Sequence, residues 1–330
     1  MRLVRAFIAC LLLGAAGPAP AAEVTVAVIS DLNGSYGSGE YGPAVAAAVE
    51  RIRALAPDLV ISTGDMVAGQ RPQPRLRPAE LDELWSGFRA AVATPLEQAG
   101  IALAVTPGNH DASGYPGFED ERLAYRRAWA GREPPGLLDG GDFPFHYAFS
   151  LGDALFVAID ATRSGPLEPR QLAWLEGTLA RHGPRYRWRV VYGHLPIRGV
   201  NRMRMPESLD DPALESLLVE HRVDVYLSGH HHAFYPAMHA GLAQVSQGCL
   251  GASPRPLVGA DSASPRTVTV LVFGPDDQWR VGALAGPAFT TWLDVAGLPE
   301  LIPTPGGVLE RLDRAAGPGR IIGAAAGDAR

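Results

Sequence analysis

Six side chains of metal-ligating type stand just past short apolar runs: Asp31, Asp65, Asn109, His194, His230 and His232. Gathered at one rim, two carboxylates, a carboxamide and three imidazoles make a poor structural cluster, because carboxylates repel unless protonated or matched by cations. All 29 basic residues are arginine, with no lysine anywhere, and no arginine stands inside these motifs. Divalent metals resolve the conflict, since mixed His/Asp/Asn ligation suits Zn, Mn or Fe. The set is too large for one tetrahedral site and suits two ions. Two ions about 3.5–4 Å apart clamp the attacking and leaving oxygens of an in-line displacement and generate a hydroxide near neutral pH. Alone, Gly108-Asn109-His110-Asp111 reads as a polar turn, and His194 as a satisfied core histidine. Their common position after strands reverses that judgement.

The elements that must position these residues alternate between strands and helices, which predicts an α/β fold. Val24 to Ile29 is a nearly unbroken apolar run, as in a strand buried on both faces, and gives way to Ser30-Asp31-Leu32-Asn33-Gly34. A helix over 40–55 follows, with the stripe Ala44, Val45, Ala48, Ile52 and Leu55. The run 58–62 precedes Gly64-Asp65, 101–105 precedes Gly108, 188–192 precedes Gly193-His194, and 223–227 precedes Gly229-His230-His231-His232. Further helices are expected over 79–98, 118–130, 168–180 and 212–220, a hairpin over 145–159, and strands at 242–245 and 267–273. Residues 70–78 and 131–144 read as loops, and little can be assigned beyond Gly274. In open α/β sheets, loops at the carboxyl ends of strands converge on a ligand, which puts the polar set at one rim.

The five blocks, in order, resemble those of the calcineurin-like metallophosphoesterases: Asp31-Leu32-Asn33, Gly64-Asp65, Gly108-Asn109-His110-Asp111, Gly193-His194 and Gly229-His230-His231-His232. The resemblance runs from about Val24 to Gly248. It implies a four-layer α/β/β/α sandwich of two mixed sheets flanked by helices, and a hydrolase of phosphoric mono- or diesters using metal-activated hydroxide. By position, Asp65 would bridge two divalent ions (Mn, Fe or Zn). Asp31 and His232 would serve the first, and Asn109, His194 and His230 the second. His110 would assist the leaving oxygen, with Asp111 orienting it, while His231 would point elsewhere. The family's first block ends in His where this chain has Asn33. Either the Asn33 amide oxygen serves the first ion, favouring harder ions such as Mn or Mg, or that site lacks a ligand, with Tyr36 nearby. A non-catalytic metal-binding or sensing module is the alternative. The tyrosine of the purple acid phosphatases is missing from Gly64-Asp65-Met66-Val67-Ala68-Gly69, which argues against a coloured ferric site.

The remaining sequence sets bounds. A formal charge of −6 argues against a duplex nucleic-acid partner, while the resemblance implies a small phosphoester substrate. Arg2 and Arg5 before the apolar run 6–16, and Ala19-Pro20-Ala21 after it, predict a signal peptide over 1–21 and export to the periplasm. The catalytic domain is expected over 22–274, with 275–330 an extension of uncertain structure. No other stretch is apolar enough to span a membrane, and cleavage would leave Cys249 without a disulfide partner. Arg198, Arg202 and Arg204 read as a solvated loop, with contact to a second anionic substrate group as the alternative.

Overall fold

The computed structural model describes residues 23–322; residues 1–21, read from the sequence as a signal peptide, lie outside them. In chain order the strands are β1 (Val24–Ile29), β2 (Leu59–Ser62), β3 (Ala102–Val105), β4 (Leu137–Asp142), β5 (His146–Leu151), β6 (Ala154–Ala158), β7 (Trp188–Tyr192) and β8 (Val225–Ser228). They continue as β9 (Tyr235–His239), β10 (Leu242–Ser246), β11 (Thr267–Phe273), β12 (Trp279–Ala285), β13 (Thr291–Trp292), β14 (Leu301–Thr304), β15 (Gly307–Arg311) and β16 (Gly319–Ile321). The helices are α1 (Pro43–Leu55), α2 (Pro78–Phe88), α3 (Thr94–Gln98), α4 (Asn109–Ala112), α5 (Glu119–Trp129), α6 (Pro169–His182) and α7 (Pro212–Glu220).

Two mixed sheets result. One runs β13-β12-β11-β1-β2-β3, with β16 also on β12; the other runs β14-β15-β9-β10-β8-β7-β6-β5-β4. The parallel strands β1, β2 and β3 lie side by side in the first, and β6, β7, β8 and β10 in the second. Alternation along β1 shows why the sheets stack: Ala27 and Ile29 join Val45, Ile52, Trp85 and Tyr125 of the helices, while Val24, Val26 and Val28 face Phe149, Phe156 and Val190 of the second sheet. On the far side, Leu155, Val157 and Val191 meet Leu175 and Leu179 of α6 and Leu214 and Leu218 of α7. The order is helix, sheet, sheet, helix, the four-layer sandwich that the motifs imply.

Local chemistry sets the helix ends. Proline opens α1, α2, α6 and α7, where its missing N–H costs no bond. Asp211 caps α7 by accepting the N–H groups of Ala213 and Leu214, both at 3.1 Å. Regions that differ from the sequence reading include β9, where no strand was expected, and two more. The connection 131–144 contains the exposed edge strand β4, bulged against β5. The residues after Gly274 supply β12, β13 and β16 to the first sheet and β14 and β15 to the second.

Candidate metal centre

Five loops at the carboxyl ends of β1, β2, β3, β7 and β8 meet where the two sheets face each other. The sheets are tied there by buried hydroxyls. Thr106 Oγ1 donates to the Ile159 carbonyl at 2.6 Å, and Tyr147 Oη bonds both Val105 and Tyr192. The loops also hook onto one another through the backbone: the N–H of Asp31 reaches Gly64 O, and those of Leu32 and Asn33 reach Asp65 O.

Asp31, Asp65, His230 and His232 all adopt left-handed backbone, with φ of 51°, 54°, 63° and 55°. Non-glycine residues rarely hold this conformation, at about 1–3 kcal/mol each, and such strain gathers at functional sites. Two motif glycines are required sterically. A Cβ on Gly108 would lie 2.1 Å from Asp65 N, and one on Gly229 would lie 2.0 Å from Ser30 Oγ.

The side chains converge. His194 Nε2 lies 3.3 Å from Asp65 Oδ2 and 3.1 Å from Asn109 Oδ1. His232 Nε2 lies 3.1 Å from Asp31 Oδ1, and the His230 N–H donates to Asp31 Oδ2 at 3.1 Å. Asp65, His194 and His230 each offer a ligand atom within 4.8 Å of the others. Backbone carbonyls fix two imidazoles: His194 Nδ1 faces Thr63 O at 2.8 Å and His232 Nδ1 faces Ser253 O at 2.9 Å. Glu207 Oε2 engages His230 Nε2 at 2.9 Å, leaving its Nδ1 as the ring atom toward the cluster. That atom and Asn33 Oδ1 are buried without a hydrogen-bond partner. Such orphans are rare in folded interiors, and lone pairs of this kind fit a cation.

Charge balance points the same way. Burial pushes the Asp31 carboxyl up, but His232 and His194 outweigh it and hold it down at about 2. Asp65 falls well below the usual carboxylate range: burial raises it, and His194 and His110 more than reverse that. Burial depresses His194, yet Asp65 and Asp31 lift it to about 9. Burial, then His194, keep His230 well below an ordinary histidine. Imidazole rings are thus what offsets the burial of the two carboxylates.

His110 lines the adjoining cleft, with its Nε2 at 3.9 Å from Asp65 Oδ2. The expectation that Asp111 orients His110 is corrected. Asp111 accepts the N–H groups of Val67 and Gly108 at 2.9 and 2.8 Å, so its oxygens brace the backbone. The His110 ring is set instead by the Gly69 carbonyl, 3.0 Å from Nδ1. His231 turns away, its Nδ1 accepting from Val200 and Asn201 and its Nε2 meeting Glu207 O. Arg198 is buried in an ion pair with Glu215 and does not reach the cleft; Arg204 lines it, paired with Glu207.

Sequence reasoning missed Gln70 and Glu207. Gln70, read as surface loop, accepts from Asn109 Nδ2 at 2.7 Å, which turns the Asn109 oxygen toward His194. Its own N–H is held by Glu121 at 2.9 Å. A glutamine before Arg-Pro-rich text carries no signal of this role.

Comparison with known proteins gives a consistent result. Purple acid phosphatase 22 of Arabidopsis thaliana is 28% identical over 214 residues, covering 64% of this chain and 44% of that protein. The match therefore spans less than half of the relative. A purple acid phosphatase from yellow lupin (Lupinus luteus) seeds superposes with a TM-score of 0.62 at 16% identity, covering 80% of this chain and 52% of that one. A dimetal phosphatase from Danio rerio gives 0.54 at 17%, covering 76% and 95%. GAP50, the anchor in the inner membrane complex of Plasmodium, gives 0.53 at 13%, covering 80% and 84%. These likenesses establish the shared fold. Residues 24–234, well over half of the sequence, match the calcineurin-like phosphoesterase profile, and the chain belongs to that family.

Proposed function

We propose that this is an exported phosphohydrolase with a dinuclear metal centre, acting on small phosphoric mono- or diesters. The observation that carries the reading is the donor set itself. Asp31, Asp65, Asn109, His194, His230 and His232 arrive on five separate loops. Their ring tautomers are fixed from behind, and two lone pairs, on His230 Nδ1 and Asn33 Oδ1, are buried unsatisfied. Asp65 would be shared by the two ions. Asp31, His232 and Asn33 would hold the first; Asn109, His194 and His230 the second. Divalent ions bound there supply Lewis acidity and an activated water.

The chain's own residues do the rest. Gln70 holds Asn109 by its amide so that the carboxamide oxygen stays turned inward. Glu207 and the carbonyls of Thr63 and Ser253 keep the imidazoles from rotating, an outer-shell role. With Nδ1 held by Gly69, His110 presents Nε2 to the cleft, where it donates a proton or hydrogen bond to the departing oxygen. The relatives named phosphatases support a phosphatase reaction, and the N-terminal sequence supports export. No tyrosine occurs in the segment 65–69, and half-buried Tyr41 spends its hydroxyl on Met66 O at 2.7 Å, so no purple colour is expected with iron bound.

The test is metal analysis combined with hydrolysis of generic mono- and diesters by wild type, Asp65→Asn and His110→Ala. Asp65→Asn should lose bound metal, and His110→Ala should keep metal while losing about 10²- to 10⁴-fold in kcat. Metal-dependent turnover untouched by either change would refute the assignment. Asn33, in place of the family's histidine, favours a second reading, a non-catalytic metal-binding module. That reading expects bound metal without turnover, and no gain on Asn33→His.

A further inference from the structure

Two tyrosines, Tyr36 at 54% and Tyr115 at 45%, are the exposed aromatic rings among the described residues. Both line the same cleft of about 220 Å³, together with His110 and His230. They come from different loops, Tyr36 beyond β1 and Tyr115 beyond α4. Two aromatic rings bordering one cleft make a surface suited to a flat ring. Tyr36 stands beside His110, with ring centroids 5.2 Å apart and planes 36° from parallel. Tyr115 is fixed by its hydroxyl, which accepts the Ser164 N–H at 3.2 Å. The cleft opens beside Tyr115, Thr162 and Arg163 into a groove of about 350 Å³.

The charges at this cleft narrow the class further. Arg204 is paired with Glu207 at 2.9 Å, and Arg163 with Glu168. Each of these guanidiniums already stands opposite a carboxylate, so neither brings an unmatched positive charge to the cleft. His110, the residue assigned to the leaving oxygen, touches Tyr36 directly, so a ring in van der Waals contact with that tyrosine lies close to the ester oxygen. We infer that the cleft is a leaving-group subsite for a neutral planar ring, which makes the substrate an aryl or arylmethyl phosphoester. This rests on the hydrolase reading above and adds the identity of the alcohol it releases.

The experiment compares benzyl phosphate with cyclohexylmethyl phosphate on the metal-loaded enzyme. The two alcohols are similar in size and leaving ability, and the saturated ring is at least as apolar, so simple burial gives benzyl no advantage. Ring stacking should read as about a three- to tenfold preference for benzyl in kcat/KM. Tyr36→Leu and Tyr115→Leu should each bring that ratio toward one. Brisk turnover of both esters at equal kcat/KM, or a preference that survives both substitutions, would overturn the subsite and leave the hydrolase intact. A nucleoside 5′-phosphate hydrolysed faster than benzyl phosphate would overturn the close placement of the ring. Should neither ester turn over while a generic diester does, the hydrolase reading stands and binding is measured instead. Calorimetry with benzylphosphonate against cyclohexylmethylphosphonate then decides the subsite, equal affinities overturning it and tighter benzyl binding supporting it.

Discussion

Two of the buried polar clusters among the described residues solve the same electrostatic problem in opposite ways. Behind the second sheet, Glu215 is surrounded by Arg198 at 2.5 Å, His239 at 2.7 Å and Gln244 at 2.8 Å. A guanidinium, an imidazole and an amide meet one carboxylate, so the group closes on itself. At the rim of the sheets, two carboxylates on left-handed backbone meet imidazoles, the Ser30 hydroxyl and backbone N–H groups but no guanidinium, with His230 Nδ1 and Asn33 Oδ1 unsatisfied. The first arrangement balances its carboxylate from within the chain, although Arg198 Nη1 makes no hydrogen bond. The second is organised around something the chain does not contain. Burial alone separates a structural residue from a functional one poorly; what separates them is whether the partners balance.

Breaking the closed cluster should cost stability and spare the site. Glu215→Ala leaves Arg198 buried without its carboxylate, and unfolding free energy should drop by about 3–5 kcal/mol. Chemical denaturation measures the drop, while metal stoichiometry of the folded fraction stays at the wild-type value. A matching loss of metal would show that the two clusters are not independent.

The reverse behaviour is expected from Glu207→Ala. Its carboxylate holds His230 from outside, and affinity for the second ion should weaken about 10- to 100-fold, read by competition with a chelating dye. The denaturation midpoint without added metal should barely move.

Acidity should distinguish the clusters as well. His194 is lifted to about 9 by Asp65 and Asp31 against the pull of burial, so below that pH its imidazole carries a proton. A metal ligand must be deprotonated, and loading releases that proton. Affinity should therefore weaken as pH falls from about 9, by up to about tenfold per unit, and level off above it. A titration flat between pH 6 and 9 would show that His194 is already neutral there.

The smallest effect concerns Asn33. An amide oxygen in place of imidazole favours harder ions, so Asn33→His should shift preference from Mn toward Zn by several-fold, about 1 kcal/mol. Unchanged selectivity in a two-metal competition would mean that Asn33 faces no ion.

The donor set was legible because each member follows an apolar run with a glycine nearby, and strand ends are easily read. The braces behind it were not. Thr63 and Ser253 act through carbonyls that any residue carries. Gln70 and Glu207 lie 39 and 23 positions from the residues they hold. Asp111 misled because its place beside His110 suggests a side-chain pair, whereas a capping carboxylate satisfies its backbone first. The strands beyond Gly274 were illegible for a different reason. β13 and β16 are only two and three residues long, and β12 acquires its identity from pairing with β11. Periodicity needs longer text than that.

The pairing of β1 carries a consequence for how the protein is made. Its two neighbours are β2, delivered some thirty residues later, and β11, which arrives at residues 267–273. Until the ribosome releases that segment, one long edge of β1 lies open, and the loop bearing Asp31 and Asn33 hangs from a half-finished ladder. Cations offered to a nascent chain would find the histidine and carboxylate donors unassembled, and capture belongs to the finished molecule.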